Sequence, residues 1–187
     1  MDKIDSVLSE IEKEAAGGRR FLPIVGPDKG KFDYLLARAT GARRILDLGT
    51  LVGYSALLFS KAVGPKGRVV TIELDPEMAR EASRNFKKAG VANIRLIRGD
   101  AREELKRLIS EKHRFDLILL DIYKDAYIEV FDDCIRLLRT GGVVLSDNAL
   151  WNTKELKEFR KFLQNHEKAE SVLVPIGDGI AMSVKKY

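Results

Sequence analysis

The chain has very little cysteine, tryptophan, histidine or glutamine. Among its 187 residues Cys134, Trp151 and Gln164 are each the only one of their kind, and there are two histidines. A lone cysteine excludes an internal disulfide, so the fold rests on its core and a reducing cytoplasm is the natural compartment. Cys134 lies in Asp133-Cys134-Ile135, a helical core position, and reads as filler rather than nucleophile. No apolar run approaches the roughly 20 residues of a membrane span, so no membrane partner is expected. The start, Met1-Asp2-Lys3-Ile4-Asp5, lacks the basic-then-apolar profile of a secretory signal. Repeats, low-complexity tracts and linkers are absent too, and one domain over residues 1–187 is expected. His113 and His166 fall in polar stretches, read as exposed, and take no role.

What is present suits a soluble domain with a sizeable core: 45% of residues are hydrophobic. The formal charge of +5 permits an acidic partner such as RNA. The basic residues are interleaved with acids, as in Lys154-Glu155 and Lys157-Glu158, which reads better as a solvated face.

The organising stretch is Arg44-Ile45-Leu46-Asp47-Leu48-Gly49-Thr50-Leu51-Val52-Gly53-Tyr54-Ser55. A short apolar run enters a turn with glycines at 49 and 53, and an apolar helix follows. Strand, glycine turn and helix allow backbone to approach a nucleotide-like ligand, although an ordinary tight turn looks the same. Before this stretch, apolar residues at 4, 7, 8 and 11 predict an amphipathic helix. A Pro- and Gly-bearing loop to Gly30 and a second helix from about Lys31 to Ala39 come next. After it, strands are predicted at 68–73, 94–98, 115–121 and 142–147. Helices fill the gaps at about 54–63, 76–88, 101–110 and 125–139. The tail carries a helix at about 153–165 and two strands across Gly177-Asp178-Gly179, a hairpin. The fold class is therefore α/β: a seven-stranded, doubly wound Rossmann-like sheet of five parallel strands and a terminal hairpin, with the last strand antiparallel.

Ligands of such sheets bind beyond the carboxyl ends of the strands, so polar residues there are the candidates. The first strand supplies Asp47 and the Gly49–Gly53 turn. The second ends in Glu73, able to accept both hydroxyls of a ribose or to cap the next helix. Gly99-Asp100-Ala101 ends the third and could hold an adenine edge; together these suggest an adenosine ligand. The fourth and fifth end in Asp121 and in Asp147-Asn148. Three hard oxygen ligands at one edge suit Mg²⁺, although Asp and Asn also serve as caps and turn formers.

From about Val25 to Val184 the chain resembles the cation-dependent, S-adenosylmethionine-dependent O-methyltransferases, which include the catechol and caffeoyl-coenzyme A enzymes. Leu46 to Ser55 resembles the family's methionine-loop motif and Thr71-Ile72-Glu73 its ribose-binding strand end. Leu120-Asp121-Ile122-Tyr123-Lys124 and Ser146-Asp147-Asn148-Ala149-Leu150-Trp151 resemble its metal and catalytic motifs. The resemblance implies that Asp121, Asp147 and Asn148 hold Mg²⁺ or another divalent cation such as Mn²⁺ or Ca²⁺, with Lys124 as general base beside Asp121. It implies cofactor contacts from Val25, Asp47, Gly49, Gly53, Tyr54, Ser55, Glu73, Asp100, Ala101 and Asp121. Tyr123 and Trp151 would wall a planar acceptor, and a homodimer is expected. Only some 22 residues precede the cofactor-covering segment around Val25, fewer than in members with large acyl substrates. Val172 stands where the catechol enzyme has a glutamate on its sixth strand, which puts the catechol itself in question.

The expected acceptor is a small hydroxylated molecule. Methylation of a tRNA hydroxyuridine and a non-catalytic S-adenosylmethionine-binding module are the alternatives. A nicotinamide dehydrogenase also wants Glu73 on a ribose, but the Gly49-x-x-x-Gly53 spacing and the Asp147-Asn148 pair argue against it.

Overall fold

A computed structural model describes residues 2–18 and 20–187. In chain order these form α1 (Lys3–Ala16), α2 (Gly26–Ala39), β1 (Arg44–Leu48), α3 (Tyr54–Val63), β2 (Arg68–Glu73), α4 (Pro76–Ala89), β3 (Ile94–Arg98) and α5 (Ala101–Ser110). Then come β4 (Phe115–Leu120), a 3₁₀ turn (Lys124–Ala126), α6 (Tyr127–Leu137), β5 (Leu138–Asp147), α7 (Lys154–Gln164), β6 (Ala169–Val174) and β7 (Ile180–Lys185). The strands make one sheet in the order β3-β2-β1-β4-β5-β7-β6. The first five are parallel, and β7 runs antiparallel between β5 and β6. This is the expected architecture, with the hairpin turned so that its second strand joins the parallel set.

Alternation along the strands separates two apolar layers. Leu46, Leu48, Ile118, Leu120 and Val144 pack with α5, α6 and α7. Ile45, Val69, Leu117, Leu119 and Leu145 pack with α1 to α4. Strands buried on both faces need such near-continuous apolar runs. Ion pairs from α1 to α3 (Asp5–Lys61) and to α4 (Glu10–Lys88) lie around its apolar stripe of Val7, Leu8 and Ile11. Capping follows local chemistry: Asp75 accepts from the amides of Glu77 and Met78, with Pro76 in the first turn.

Two boundaries differ from expectation. Helix α2 begins at Gly26, not near Lys31, because Pro27 occupies a first-turn position where no amide hydrogen is needed. Strand β5 begins at Leu138, inside the segment expected to be helical. Leu138 pairs with Phe115, and an irregularity then shifts the ladder before Val143 joins Leu117, so Gly141-Gly142 lies at a bulge within the strand. His166 is also not exposed. Its side chain is 7% accessible and meets the rings of Phe131 and Phe162, each 5.1 Å away, with Nε2 3.1 Å from Asp132. No helix among the described residues is long and apolar enough to cross a membrane.

The tightest backbone approach is at Gly49. Its φ is +99°, and a Cβ there would sit 2.0 Å from the carbonyl oxygen of Asp121. Gly49→Ala should therefore combine strain with overpacking and cost on the order of 2–4 kcal/mol. Urea denaturation of the two proteins checks this, and a loss below ~1 kcal/mol would contradict the geometry.

Candidate active site

The parallel register sets the site. Leu48 pairs with Ile72 on one side and with Leu120 on the other, and Leu120 pairs with Ser146. The residues that follow are therefore brought into one row: Glu73, Gly49, Asp121 and Asp147. Ladder bonds continue past the strands, from the Gly49 amide to Ile72 and from the Asp121 amide to Leu48, and hold the row together.

At the β1 end, Asp47 is fully buried and accepts hydrogen bonds from Ser55 (3.1 Å to each oxygen) and Thr71 (2.8 Å). Burial pushes its carboxyl up to about 7, and these hydroxyls only partly offset that. Glu73 folds back over the glycine turn. One oxygen accepts from the Leu51 amide at 2.6 Å and the other from the Asp75 amide at 2.9 Å. Gly53, at φ +92°, approaches Phe86 too closely for any side chain. The Asp100 carboxylate caps α5 through the Arg102 amide at 2.7 Å, with Ala101 buried beside it. Val25 is buried at the head of α2, in the layer that contains Val52. Tyr54 departs from the rest of this group. Its hydroxyl donates to Glu12 on α1 at 2.5 Å, so only its main chain remains at the turn.

At the β4 and β5 ends, Lys124 Nζ lies 2.8 Å from Asp121 Oδ1 and 2.8 Å from the Tyr127 hydroxyl. That hydroxyl in turn reaches the carbonyls of Leu120 (2.8 Å) and Asp147 (3.2 Å). Trp151 borders the ammonium, its ring centre 6.0 Å from Nζ, whereas Tyr123 is 75% exposed. Asp147 is buried, with both oxygens held by Lys29 Nζ at 2.6 and 2.7 Å. Burial and the Asp121 charge raise its carboxyl to about 6 against the pull of Lys29. Lys29 also reaches Asp178 at 2.5 Å, and Asn148 donates to the other Asp178 oxygen at 2.6 Å. Burial would lower the Lys29 ammonium, but Asp147 and Asp178 outweigh it and hold it above its ordinary value.

Behind them Asp33 is 3% exposed with Oδ1 unpartnered, and burial with repulsion from Asp147 keeps it well above the carboxylate range. Four carboxyl groups thus meet two ammoniums. The Asn148 amide, donating through nitrogen, keeps its carbonyl oxygen for another partner. This donor chemistry, all oxygen with an excess of negative charge, fits a hard divalent cation. Among the described residues no three His, Cys, Asp or Glu side chains already form a cage, and Lys29 covers the Asp147 oxygens.

Lys29, Asp33, Tyr127 and Asp178 were not among the sequence candidates. Asp178 was visible only as a turn residue between glycines, and Lys29 only as part of an expected loop. Val172, on the edge strand β6, is 55% exposed and faces no partner in this cluster.

A sheet of this order, with a glycine turn after β1 and acids after its neighbours, defines a Rossmann-like methyltransferase sheet. The chain belongs to the O-methyltransferase family, whose model matches residues 3–186. It is 36% identical over 156 residues to a catechol O-methyltransferase of Niastella koreensis, covering 82% of this chain and 70% of that enzyme. A catechol O-methyltransferase of Mycobacterium tuberculosis is 39% identical over 127 residues, 67% of this chain and 57% of that one. An O-methyltransferase from Bacillus cereus, solved in complex with SAH, superposes with a TM-score of 0.86 at 28% identity, over 97% of this chain and 91% of its own. TomG of Streptomyces achromogenes, an O-methyltransferase of tomaymycin synthesis solved with SAM, gives a TM-score of 0.86 at 28% identity, over 98% and 91%.

Asp47 supplies a pH prediction. Its carboxyl is raised on folding, so the folded chain binds the proton more tightly than the unfolded one. This contribution is full below the unfolded value near 4 and is lost as pH rises towards about 7. Asp47→Asn removes it. The stability of the variant relative to the parent should therefore rise between pH 4 and 7 and level off above, as read from urea titrations at each pH. A gap that does not vary with pH would mean that Asp47 stays ionised throughout.

Proposed function

We propose that this chain is an S-adenosylmethionine-dependent, divalent-cation-dependent O-methyltransferase for a small acceptor with two adjacent hydroxyls, such as a catechol. The observation that carries the reading is the meeting of Asp121, Lys124, Asp147 and Asn148 at one sheet edge, directly beside the Gly49 turn. The SAH and SAM held by the two solved relatives support the donor.

In this reading Glu73 takes the ribose, and Asp100 with the Ala101 amide takes the adenine. Asp47, Ser55 and the main chain of Gly49, Gly53 and Tyr54 take the methionine end, under Val25. The donor supplies an electrophilic methyl group on a sulfonium. Asp121, Asp147 and Asn148 hold Mg²⁺, or Mn²⁺ or Ca²⁺ in its place, and the cation when bound lowers the proton affinity of an adjacent hydroxyl. Lys124 Nζ, as the neutral amine, receives the hydroxyl proton and becomes the ammonium. Tyr127 fixes that nitrogen in place, and Trp151 with Tyr123 lines the approach of a planar ring. The row of strand ends brings donor and acceptor together, so positioning supplies much of the acceleration. A homodimer belongs to the same proposal: edge strand β6 leaves Val172 and Leu173 exposed, an edge that a second copy can cover.

The test is methyl transfer from labelled donor to a panel of catechols, acyl-linked phenols and bulk tRNA, with Mg²⁺ and with chelator. Transfer to a diol-type acceptor is expected, abolished by chelator and by Asp121→Ala. Lys124→Met should lower kcat by about 10²–10⁴-fold. Chelator-insensitive transfer would refute the cation, and transfer to tRNA alone would move the acceptor to RNA. Light scattering should give a mass of two chains; one chain at micromolar concentration refutes the dimer.

A further inference from the structure

The Lys29 ammonium stands where a cation is expected to bind. It is 7% exposed, sits on the first turns of α2 and uses all three of its N–H donors: two on Asp147 and one on Asp178. Its stem runs beside the β6–β7 turn, where a Cβ added to Gly177 would lie 3.8 Å from its Cγ and Cδ. The two acids differ in setting. The Asp147 side chain is 4% exposed and also feels the charge of Asp121, whereas the Asp178 side chain is 31% exposed and already shared with Asn148.

We propose that Lys29 is a movable internal counterion for the cation site, resting on Asp147 and Asp178 in the cation-free chain and withdrawing to Asp178 alone when a divalent cation takes the Asp147 oxygens. The proposal rests on the cation dependence put forward above. Its physical basis is competition. A buried carboxylate left without a counter-charge is strongly unfavourable, so Lys29 stabilises the empty site and must be displaced from it by any cation. Asp178 makes that displacement inexpensive, because Lys29 keeps one charged partner after moving. Lys29 is thus a positioning residue. It sets the affinity of the site and holds two acids from distant parts of the chain in register.

The two residues should have opposite effects on cation affinity. Lys29→Met removes the competitor, and Mn²⁺ affinity should rise by at least ~10-fold, as expected for loss of one like charge within a few ångströms. Asp178→Asn leaves Lys29 with no charged place to go, and affinity should fall by a similar factor. The double variant separates this exchange from general electrostatics: with Lys29 absent, Asp178→Asn should change affinity less than ~3-fold, because residues that act through one another are not additive.

The experiment titrates Mn²⁺ into the full chain without donor or acceptor and reads free Mn²⁺ by electron paramagnetic resonance. Asp147→Asn is the control that loses binding. Thermal unfolding in chelator provides a second reading, in which Lys29→Met should melt lower than the parent and recover with Mn²⁺. Tighter binding in Lys29→Met, weaker binding in Asp178→Asn and loss of the second effect in the double variant support the exchange. Unchanged or weaker binding in Lys29→Met overturns it, as does full additivity. If Lys29→Met does not fold without cation, Asp178→Asn decides alone, and unaltered affinity there overturns the proposal. Absence of Mn²⁺ binding in the parent and in Lys29→Met would instead bring down the cation reading itself.

Discussion

The register of the four central strands is the constraint on which the site depends. Because β2, β1, β4 and β5 end in step, the residues after their last ladder pairs form a line across the sheet. Strand periodicity is two, so a slip of one residue in β4 or β5 would turn its acid to the opposite face and break the line. Gly49 makes the line close enough to matter: the β1 turn passes against the Asp121 carbonyl at a distance no side chain allows. In the proposed reading, the turn that approaches the donor and the strand end that faces the acceptor therefore share a wall. Ladder bonds fix that wall, and neither half can move without the other.

Three buried carboxyl groups lie on this edge in three different electrostatic settings. Asp47 has only hydroxyl donors and is pushed up to about 7. Asp147 has an ammonium and a facing carboxylate, and reaches about 6. Asp33 has an orphaned oxygen, and burial with repulsion from three other acids holds it well above its ordinary value. In the proposed reading the first two differences have chemical meaning. A group without a counter-charge waits for the ammonium of a methionine tail, and a group already holding an ammonium exchanges it for a metal. The chain as a whole is formally +5, yet this edge is acidic, so its local field favours cations against the sign of the net charge.

The strand–turn–helix from Arg44 and the acids that follow apolar strands were legible in sequence because they are local patterns. Periodicity marks a strand, and the residue that breaks it marks the strand's end. The partners of those acids were not legible. Lys29 is 118 positions from Asp147 and 149 from Asp178, and nothing in Pro27-Asp28-Lys29-Gly30 announces either meeting. Nothing in sequence sets Tyr127 apart from an apolar helix residue, yet its hydroxyl bridges two strand ends. The same local patterns misplace the starts of α2 and β5, because Pro27 sits within the first turn of the helix and Gly141-Gly142 within the strand. His166 was misjudged because its polar neighbours in sequence conceal an aromatic setting in space, with Phe131 and Phe162.

With Lys124 as the proposed base, reactivity and selectivity fall to different parts of the molecule. Its ammonium belongs to a short turn that follows Asp121 directly, and its distance to that acid is set three residues away along the same chain. Tyr127, three residues further on, ties the nitrogen to the carbonyls at the ends of β4 and β5. In the proposed reading the proton-accepting atom is thus referenced to the sheet itself, the most rigid part of the fold, and not to a distant loop. The rings nearest to it are differently held: Trp151 is 45% exposed and Tyr123 75%. Exposed rings on loops can be replaced or reoriented without disturbing ladder bonds or buried charges. A scaffold of this kind keeps one reaction while its acceptor changes, which is why the strand ends state the chemistry more clearly than the rim states the substrate.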